Sequence, residues 1–315
     1  YGLCPENMLG ACYYEDPALK FKRIYDQFEE KILFYKFLSA KSDKGLLINP
    51  INLISKKLRI PINNVKYIEH HTAHFHTSRM LISQNEALEG FSSMNIDGVG
   101  EKDTVTSVMS GAPGDPTQEN KKTVSEMPHS LGLFYSAITA YLGFNVNDAE
   151  YRVMGLAAYG KPEYVEAFQE LAYVDKSKKF KLDTDYFDFS PGALFPFTPK
   201  FIEKFGPPAP PSDHYASTLP SDLDLGSNRE LQRYANIASS AQQCLTQSIL
   251  KLIEWHSRNT ETPLLYSGGV ALNSKSNYEI WKKYDLRIPA DPGDGGSSIG
   301  AGAALVHHTY GAYPV

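Results

Sequence analysis

The last third of the chain alternates short apolar runs with helical stretches, and this restricts the fold more than any other feature. Pro263 to Tyr266 reads as a strand, followed by the loop Ser267-Gly268-Gly269 and a helix predicted near residues 272–284. Leu286 to Ile288 reads as a second strand, leading to a final helix near residues 296–308. Successive strand–loop–helix units predict an α/β protein.

The rest of the chain fits that class. Ala18 to Ser39 has helical spacing of Leu19, Phe21, Ile24, Phe28, Ile32 and Phe37, and residues 51–60 suggest a second short helix. Val65 to Ile68 reads as a strand feeding a helix over about residues 71–84. Leu88 to Ile96 and Thr104 to Ser110 read as strands joined by Asp97-Gly98-Val99-Gly100, a hairpin signal. A polar loop from Gly111 to Asn120 precedes helices predicted near 130–142 and 162–171. Residues 178–225 are proline-rich and irregular, and a long helix is expected over roughly 228–257. At 315 residues and 42% hydrophobic, the chain is long enough for two lobes with separate cores.

Glu69-His70-His71-Thr72-Ala73-His74 carries the clearest chemical signal. On a helix, His70 and His74 lie one turn apart on one face and can grip one metal ion. Asp294, in a glycine-rich loop, offers a carboxylate to complete the site; the alternative is a hydrogen-bonded or solvent-facing histidine pair. Ser267-Gly268-Gly269-Val270-Ala271-Leu272-Asn273 and Asp294-Gly295-Gly296 each lead into a helix, where free N–H groups favour an anion; either can equally be a tight turn. A net charge of −5 gives no nucleic-acid footprint, and no apolar run is long enough to span a membrane. The three cysteines, Cys4, Cys12 and Cys244, suggest reduced thiols and a cytoplasmic location.

In combination, several segments resemble the O-carbamoyltransferases of nodulation and antibiotic tailoring. They are Glu69 to His74, Asn95-Ile96-Asp97-Gly98, Pro128-His129-Ser130-Leu131-Gly132-Leu133-Phe134-Tyr135, Glu150 to Gly160, Ser267 to Asn273 and Gly293-Asp294-Gly295. The resemblance implies an actin-like, two-lobed α/β fold of the sugar kinase and Hsp70 type. Residues 1–88 would be the remainder of the first lobe, and 89–315 the second lobe, with the last helix returning to the cleft. It implies that His70, His74 and Asp294 hold a divalent metal, iron first and zinc or manganese as alternatives. Gly268, Gly269 and Asn273, with Ser267, Val270 and Gly295, would form the nucleotide loops, and Asp97 and Gly98 a phosphate-facing hairpin. The chain reads as shortened at both ends, lacking the family's His-Asp/Asn-x-Ser-Ala stretch and a domain that makes carbamoyl-adenylate from ATP and carbamoyl phosphate. Arg152 stands where the family has lysine, which keeps the charge but changes the geometry.

The implied reaction is carbamoyl transfer from carbamoyl-adenylate to a hydroxyl of a small molecule, with AMP as leaving group. Asp97, His71, Glu150 and His129 are candidates for the base. In an extended chain Glu150 and Arg152 share a face and can form an ion pair, catalytic or bracing. Two further readings stay open: a threonylcarbamoyl-transfer protein acting on tRNA, and a non-catalytic actin-like domain that binds nucleotide. The expected partners are a small-molecule acceptor and the adenylate-forming domain, without nucleic acid or membrane; an oligomer is compatible with the sequence.

Overall fold

The computed structural model describes residues 8–28, 30–40, 49–110, 120–211 and 229–313. Cys4, nearly all of the loop from Gly111, and residues 212–225 of the proline-rich stretch lie outside them. In chain order the elements are β1 (Ala11–Tyr13), α1 (Pro17–Asp26), α2 (Lys31–Ala40), α3 (Pro50–Leu58), β2 (Val65–Tyr67), α4 (His70–Arg79), α5 (Gln84–Glu89), β3 (Ser92–Ile96), β4 (Asp103–Met109) and β5 (Asn120–Glu126). There follow α6 (Leu131–Tyr141), α7 (Glu150–Leu156), α8 (Val165–Leu171), β6 (Ala172–Val174), β7 (Phe180–Leu182), α9 (Pro199–Phe205) and α10 (Arg229–His256). The last are β8 (Leu264–Ser267), α11 (Ser274–Trp281), β9 (Leu286–Arg287) and α12 (Asp294–Tyr310). The protein is α/β, as the alternation predicts.

The chain divides into two compact units. One holds the chain up to Thr123, Ser257–Leu272 and the chain from Asp285 onward; the other holds Val124–His256 and Asn273–Tyr284. The first unit is built on a five-stranded sheet of order β5-β4-β3-β8-β9. β3 runs antiparallel to β4, with Ile96 opposite Val105, and parallel to β8, with Asn95 opposite Ser267. β3 and β8 are buried along their whole length, as expected for strands covered on both faces. Because they are parallel neighbours, their carboxyl ends bring Asp97 beside Gly268. β1 and β2 form a separate parallel pair.

Helix α4 packs on α12 through glycine. A Cβ at Gly300 would lie 2.0 Å from the Ala73 carbonyl oxygen, so the two backbones touch. Behind α4, Phe75, Ile82, Ala87, Phe91, Val108 and Leu265 form an apolar cluster.

The second unit is assembled around α10, whose Tyr234, Ile237, Ala241, Leu245, Ile249 and Leu252 are buried. Gly160 meets this helix so closely that a Cβ would sit 1.9 Å from the Ala235 carbonyl oxygen. Ser130 caps α6 by accepting from the Leu133 N–H at 3.0 Å. The irregular stretch contains β7, the bridge Phe187–Phe197 and α9.

Three local expectations are corrected. The helical spacing of residues 18–39 belongs to two helices, and Phe34 sits edge-on to Phe21 and Tyr25 of α1. The strand expected from Leu88 starts at Ser92. The preceding residues form α5, with Ser83 and Glu86 making a reciprocal capping box and Gly90 (φ +113°) ending it. Glu150 and Arg152 lie on a helix, where residues two apart do not share a face.

Leu265 has no exposed surface in the middle of the sheet. Leu265→Ala is expected to cost roughly 2–5 kcal/mol by loss of apolar contact plus a residual cavity. Urea unfolding monitored by circular dichroism would show this as a lower midpoint with an unchanged slope.

Candidate metal centre

The site lies in the first unit, where α4, the end of β3 and the start of α12 meet. Four-residue spacing on α4 brings the rings of His70 and His74 to 4.7 Å between centroids, with planes at 90°. Their Nε2 atoms are 3.1 Å apart. Asp97, just past β3, places Oδ2 2.8 Å from His70 Nε2 and 3.3 Å from His74 Nε2. Asp294, the first residue of α12, places Oδ1 at 3.3 and 3.5 Å from the same atoms. One ligand atom from each residue falls within 4.8 Å of every other. His70, His74 and Asp97 are buried, whereas the Asp294 side chain is 65% exposed, so the cluster is open on that side.

Two imidazoles and two carboxylates fit iron(II), zinc or manganese(II). Two facing Nε2 atoms can share at most one proton between them, so a cation between them satisfies both lone pairs. Ser297 Oγ lies 3.3 Å from His74 Nδ1 and 3.4 Å from its Nε2, against the edge of the ring between them. With no cation, the cluster balances its charge with protons. Burial opposes charge on His70, but hydrogen bonds to Asp294 and Asp97 prevail and raise its pKa to about 10; His74 is raised by the same balance. Burial pushes Asp97 upward, and its bonds to the two histidines overcome this and hold it well below the usual carboxylate range. Asp294 is lowered, foremost by its hydrogen bonds to His70 and His74.

Asp97 also organises the loops. Its Oδ1 accepts from the Gly269 N–H at 2.8 Å, and the Gly268 N–H donates to the Pro292 carbonyl at 2.8 Å. The N–H groups of both glycines are thus engaged within the protein, as in a tight turn. Gly268 adopts φ +94°, where a Cβ would sit 2.2 Å from the Ile96 carbonyl oxygen. Ser267 Oγ is 2.7 Å from Asn95 Oδ1, and Asn95 donates to Thr106 Oγ1 at 3.0 Å. His71 Nδ1 lies 3.1 Å from that Thr106 hydroxyl. His71 is 1% exposed, its pKa is pushed down to about 3 by burial, and its Nε2 has no hydrogen-bond partner among the described residues.

Of the other sequence candidates, Val270, Gly98 and Gly295 belong to the first unit. Val270 is buried in the short 3₁₀ turn after Gly269. A Cβ on Gly98 would meet nothing within 4 Å, whereas one on Gly295 would sit 2.1 Å from Asp291 Oδ2. Asn273, Glu150, Arg152 and His129 belong to the second unit. Asn273 caps α11 through the Ser276 N–H and exchanges hydrogen bonds with Gln242, which in turn accepts from Tyr135. Glu150 accepts from Ser136 Oγ at 3.2 Å and from the Asn147 N–H at 2.8 Å, and the Arg152 Nε donates to Tyr151. His129 Nδ1 accepts from the Leu182 N–H. Sequence reading missed Tyr14, whose half-buried ring lies 5.7 Å from that of His70. Only its place after β1 distinguished it from the many aromatics nearby.

Two buried histidines make the stability of the fold depend on acid pH. His71 and His76 are neutral, pushed down to about 3 mainly by burial, and His307, His308 and Arg79 add to the effect at His76. An unfolded histidine binds its proton near pH 6.5. As pH falls below 6.5 the unfolded state therefore gains protons first, and stability drops. Each of the two contributes a loss of roughly 2 kcal/mol by pH 5. His70, raised to about 10, keeps its full contribution below pH 6.5 and takes no part in this loss. The urea midpoint of the metal-free protein is expected to fall between pH 7 and 5, and His76→Gln to make that fall shallower.

The carbamoyltransferase N-terminus family model matches residues 11–304. The uncharacterized protein sll1178 of Synechocystis sp. is 31% identical over 94% of this chain and 47% of its own length. The uncharacterized protein MJ1051 of Methanocaldococcus jannaschii is 28% identical over 61% of this chain and 34% of its own. Nodulation protein NolNO of Sinorhizobium fredii is 23% identical over 87% of this chain and 36% of its own. The chain thus spans less than half the length of these relatives. With 294 of its 315 residues inside the family's boundaries, the chain belongs to the carbamoyltransferase N-terminus family.

Proposed function

We propose that this chain is the acyl-transfer part of an O-carbamoyltransferase with an actin-like fold. The observation that carries the reading is the convergence of His70, His74, Asp97 and Asp294, buried on three sides and open at Asp294. The donor is carbamoyl-adenylate, made from ATP and carbamoyl phosphate by a further domain or partner, and the acceptor is a hydroxyl of a small molecule. In the transfer, the bond from the carbamoyl carbon to the phosphate oxygen breaks. A bond from that carbon to the acceptor oxygen forms, the acceptor proton goes to a base, and AMP leaves.

His70, His74, Asp97 and Asp294 would hold the metal, with iron the first choice and zinc or manganese the alternatives. A divalent cation there would stabilise the negative charge that grows on the departing phosphate. In this reading Asp97 is a ligand rather than the base. His71, sealed under the turn, braces Thr106. Tyr14 stands beside the ligands, its ring 5.7 Å from that of His70. Among the described residues Cys12 and Cys244 are free thiols, and no helix is long and apolar enough to cross a membrane. The free thiols fit a reducing compartment, and the cytoplasm is the location we propose.

The test follows AMP release by the native gene product with ATP, metal and carbamoyl phosphate, and in parallel with ATP, threonine and bicarbonate. AMP release that needs carbamoyl phosphate is the expected result. Dependence on threonine and bicarbonate would move the protein to tRNA modification and overturn the reading. If neither mixture releases AMP, preformed carbamoyl-adenylate is supplied; failure to consume it in the presence of alcohols leaves only a nucleotide-binding scaffold. His70→Ala is expected to lower metal affinity by more than about 100-fold, read by chelator competition.

A further inference from the structure

The turn after β3 holds His70 from two sides. Asp97 meets the tip of its ring, with Oδ2 2.8 Å from Nε2. Four residues on, Glu101 meets its backbone: Oε1 and Oε2 accept from the His70 N–H at 2.9 and 3.1 Å. Glu101 Oε1 also accepts from the Asp16 N–H at 2.7 Å, which ties the start of α1 to the same carboxylate. Gly100, just before Glu101, lies against α4. A Cβ there would come within 2.8 Å of His71 Cδ2 and 3.3 Å of His70 Cβ, so the turn lies flush on the helix. The Arg23 guanidinium donates to the Gly100 carbonyl and holds the turn from its other side.

A helix start needs acceptors for its first N–H groups, and these usually come from the residue just before it. At α4 that residue is Glu69, whose side chain makes no such bond. The acceptor comes instead from 31 residues away, on the very turn that delivers Asp97. Glu101 is 8% exposed, and a carboxylate so placed also meets the positive end of the helix dipole. A remote cap of this kind does more than satisfy a donor. It fixes the distance between the backbone of His70 and the strand end that carries Asp97, so neither can shift without the other.

We propose that Glu101 is a positioning residue for the metal centre, locking the start of the ligand helix to the turn that carries Asp97. Metal affinity then depends on a residue that never touches the ion. The inference rests on the metal reading above, and the experiment separates the two.

The probe is cobalt(II) alone, titrated into the metal-stripped native protein, with affinity read by chelator competition and geometry by the visible ligand-field absorption. Glu101→Ala is expected to weaken cobalt binding about 10- to 100-fold and to shift the absorption bands. Glu101→Gln, whose amide oxygen can still accept one N–H, falls between it and the wild type; it also serves if the alanine variant fails to fold. Ser130→Ala removes the cap of α6 in the other unit. It lowers the melting temperature and leaves cobalt affinity and spectrum unchanged. Wild-type affinity and spectrum in both Glu101 variants would overturn the inference and leave the metal reading standing, as would an equal loss in Ser130→Ala. Absence of cobalt binding in the wild type would overturn both.

Discussion

Everything around the site depends on how one buried carboxylate is satisfied. Asp97 is 7% exposed, and an ionised group at that depth is tolerated only with charged or hydrogen-bonding partners on every side. Its two oxygens are divided between different tasks. Oδ2 faces the two imidazoles, and Oδ1 takes the N–H of Gly269. The second bond fixes the loop after β8, where Gly268 folds back over Ile96 and reaches Pro292. Pro292 lies two residues before Asp294, so one carboxylate places the loop that leads to the other. The parallel pairing of β3 and β8 makes this possible, because both loops leave the sheet at the same edge.

What the sequence revealed and what it hid follow a physical division. Contacts that repeat along the chain were legible: the i, i+4 histidines, the apolar face of α10, and the Asp-Gly turn between β3 and β4. Contacts that close across the chain were not. Glu101 has no helical or strand partner at regular spacing, and its role rests on a bond spanning 31 residues. Asp97 was visible as a functional residue, but its position between the histidines depends on the register of β3 with β8. β5 escaped notice because its first three residues are exposed and two are lysine, the usual composition of a sheet edge. Ser83 and Glu86 have the spacing of a capping box, which makes the residues after them helical although an apolar run begins at Leu88. Glu150 and Arg152 were placed on an extended chain because the stretch is too short for helical periodicity to show.

The floor of the site is as specific as its ligands. Thr106, Asn95 and Ser267 lie on three adjacent strands, and their side chains form one hydrogen-bonded row. The row ends at His71 on one side and on the other at the Ser267 hydroxyl, whose single proton is shared between Asn95 Oδ1 and the His74 carbonyl 3.0 Å away. It therefore grips α4 at two points, one residue and four residues after His70. Polar groups buried in this way are costly unless each is matched, and once matched they fix a single arrangement. Such a floor keeps the ligand helix from sliding along the sheet, a freedom that purely apolar packing would leave.

Rigidity below and openness above divide the four clustered side chains into two kinds. His70, His74 and Asp97 are held from behind by helix, sheet and loop. Asp294 has solvent over most of its side chain and stands at the first turn of α12, where the helix dipole favours an anion. Burial limits three of these side chains to one geometry, whereas Asp294 keeps room to move. A site closed by four buried ligands would hold an ion for structure alone. Here the exposed carboxylate sits on the open side, so in the proposed reaction a phosphate would arrive past Asp294, not through the packed floor. The electrostatics agree, since a phosphate arriving beside two carboxylates is repelled unless a cation lies between them.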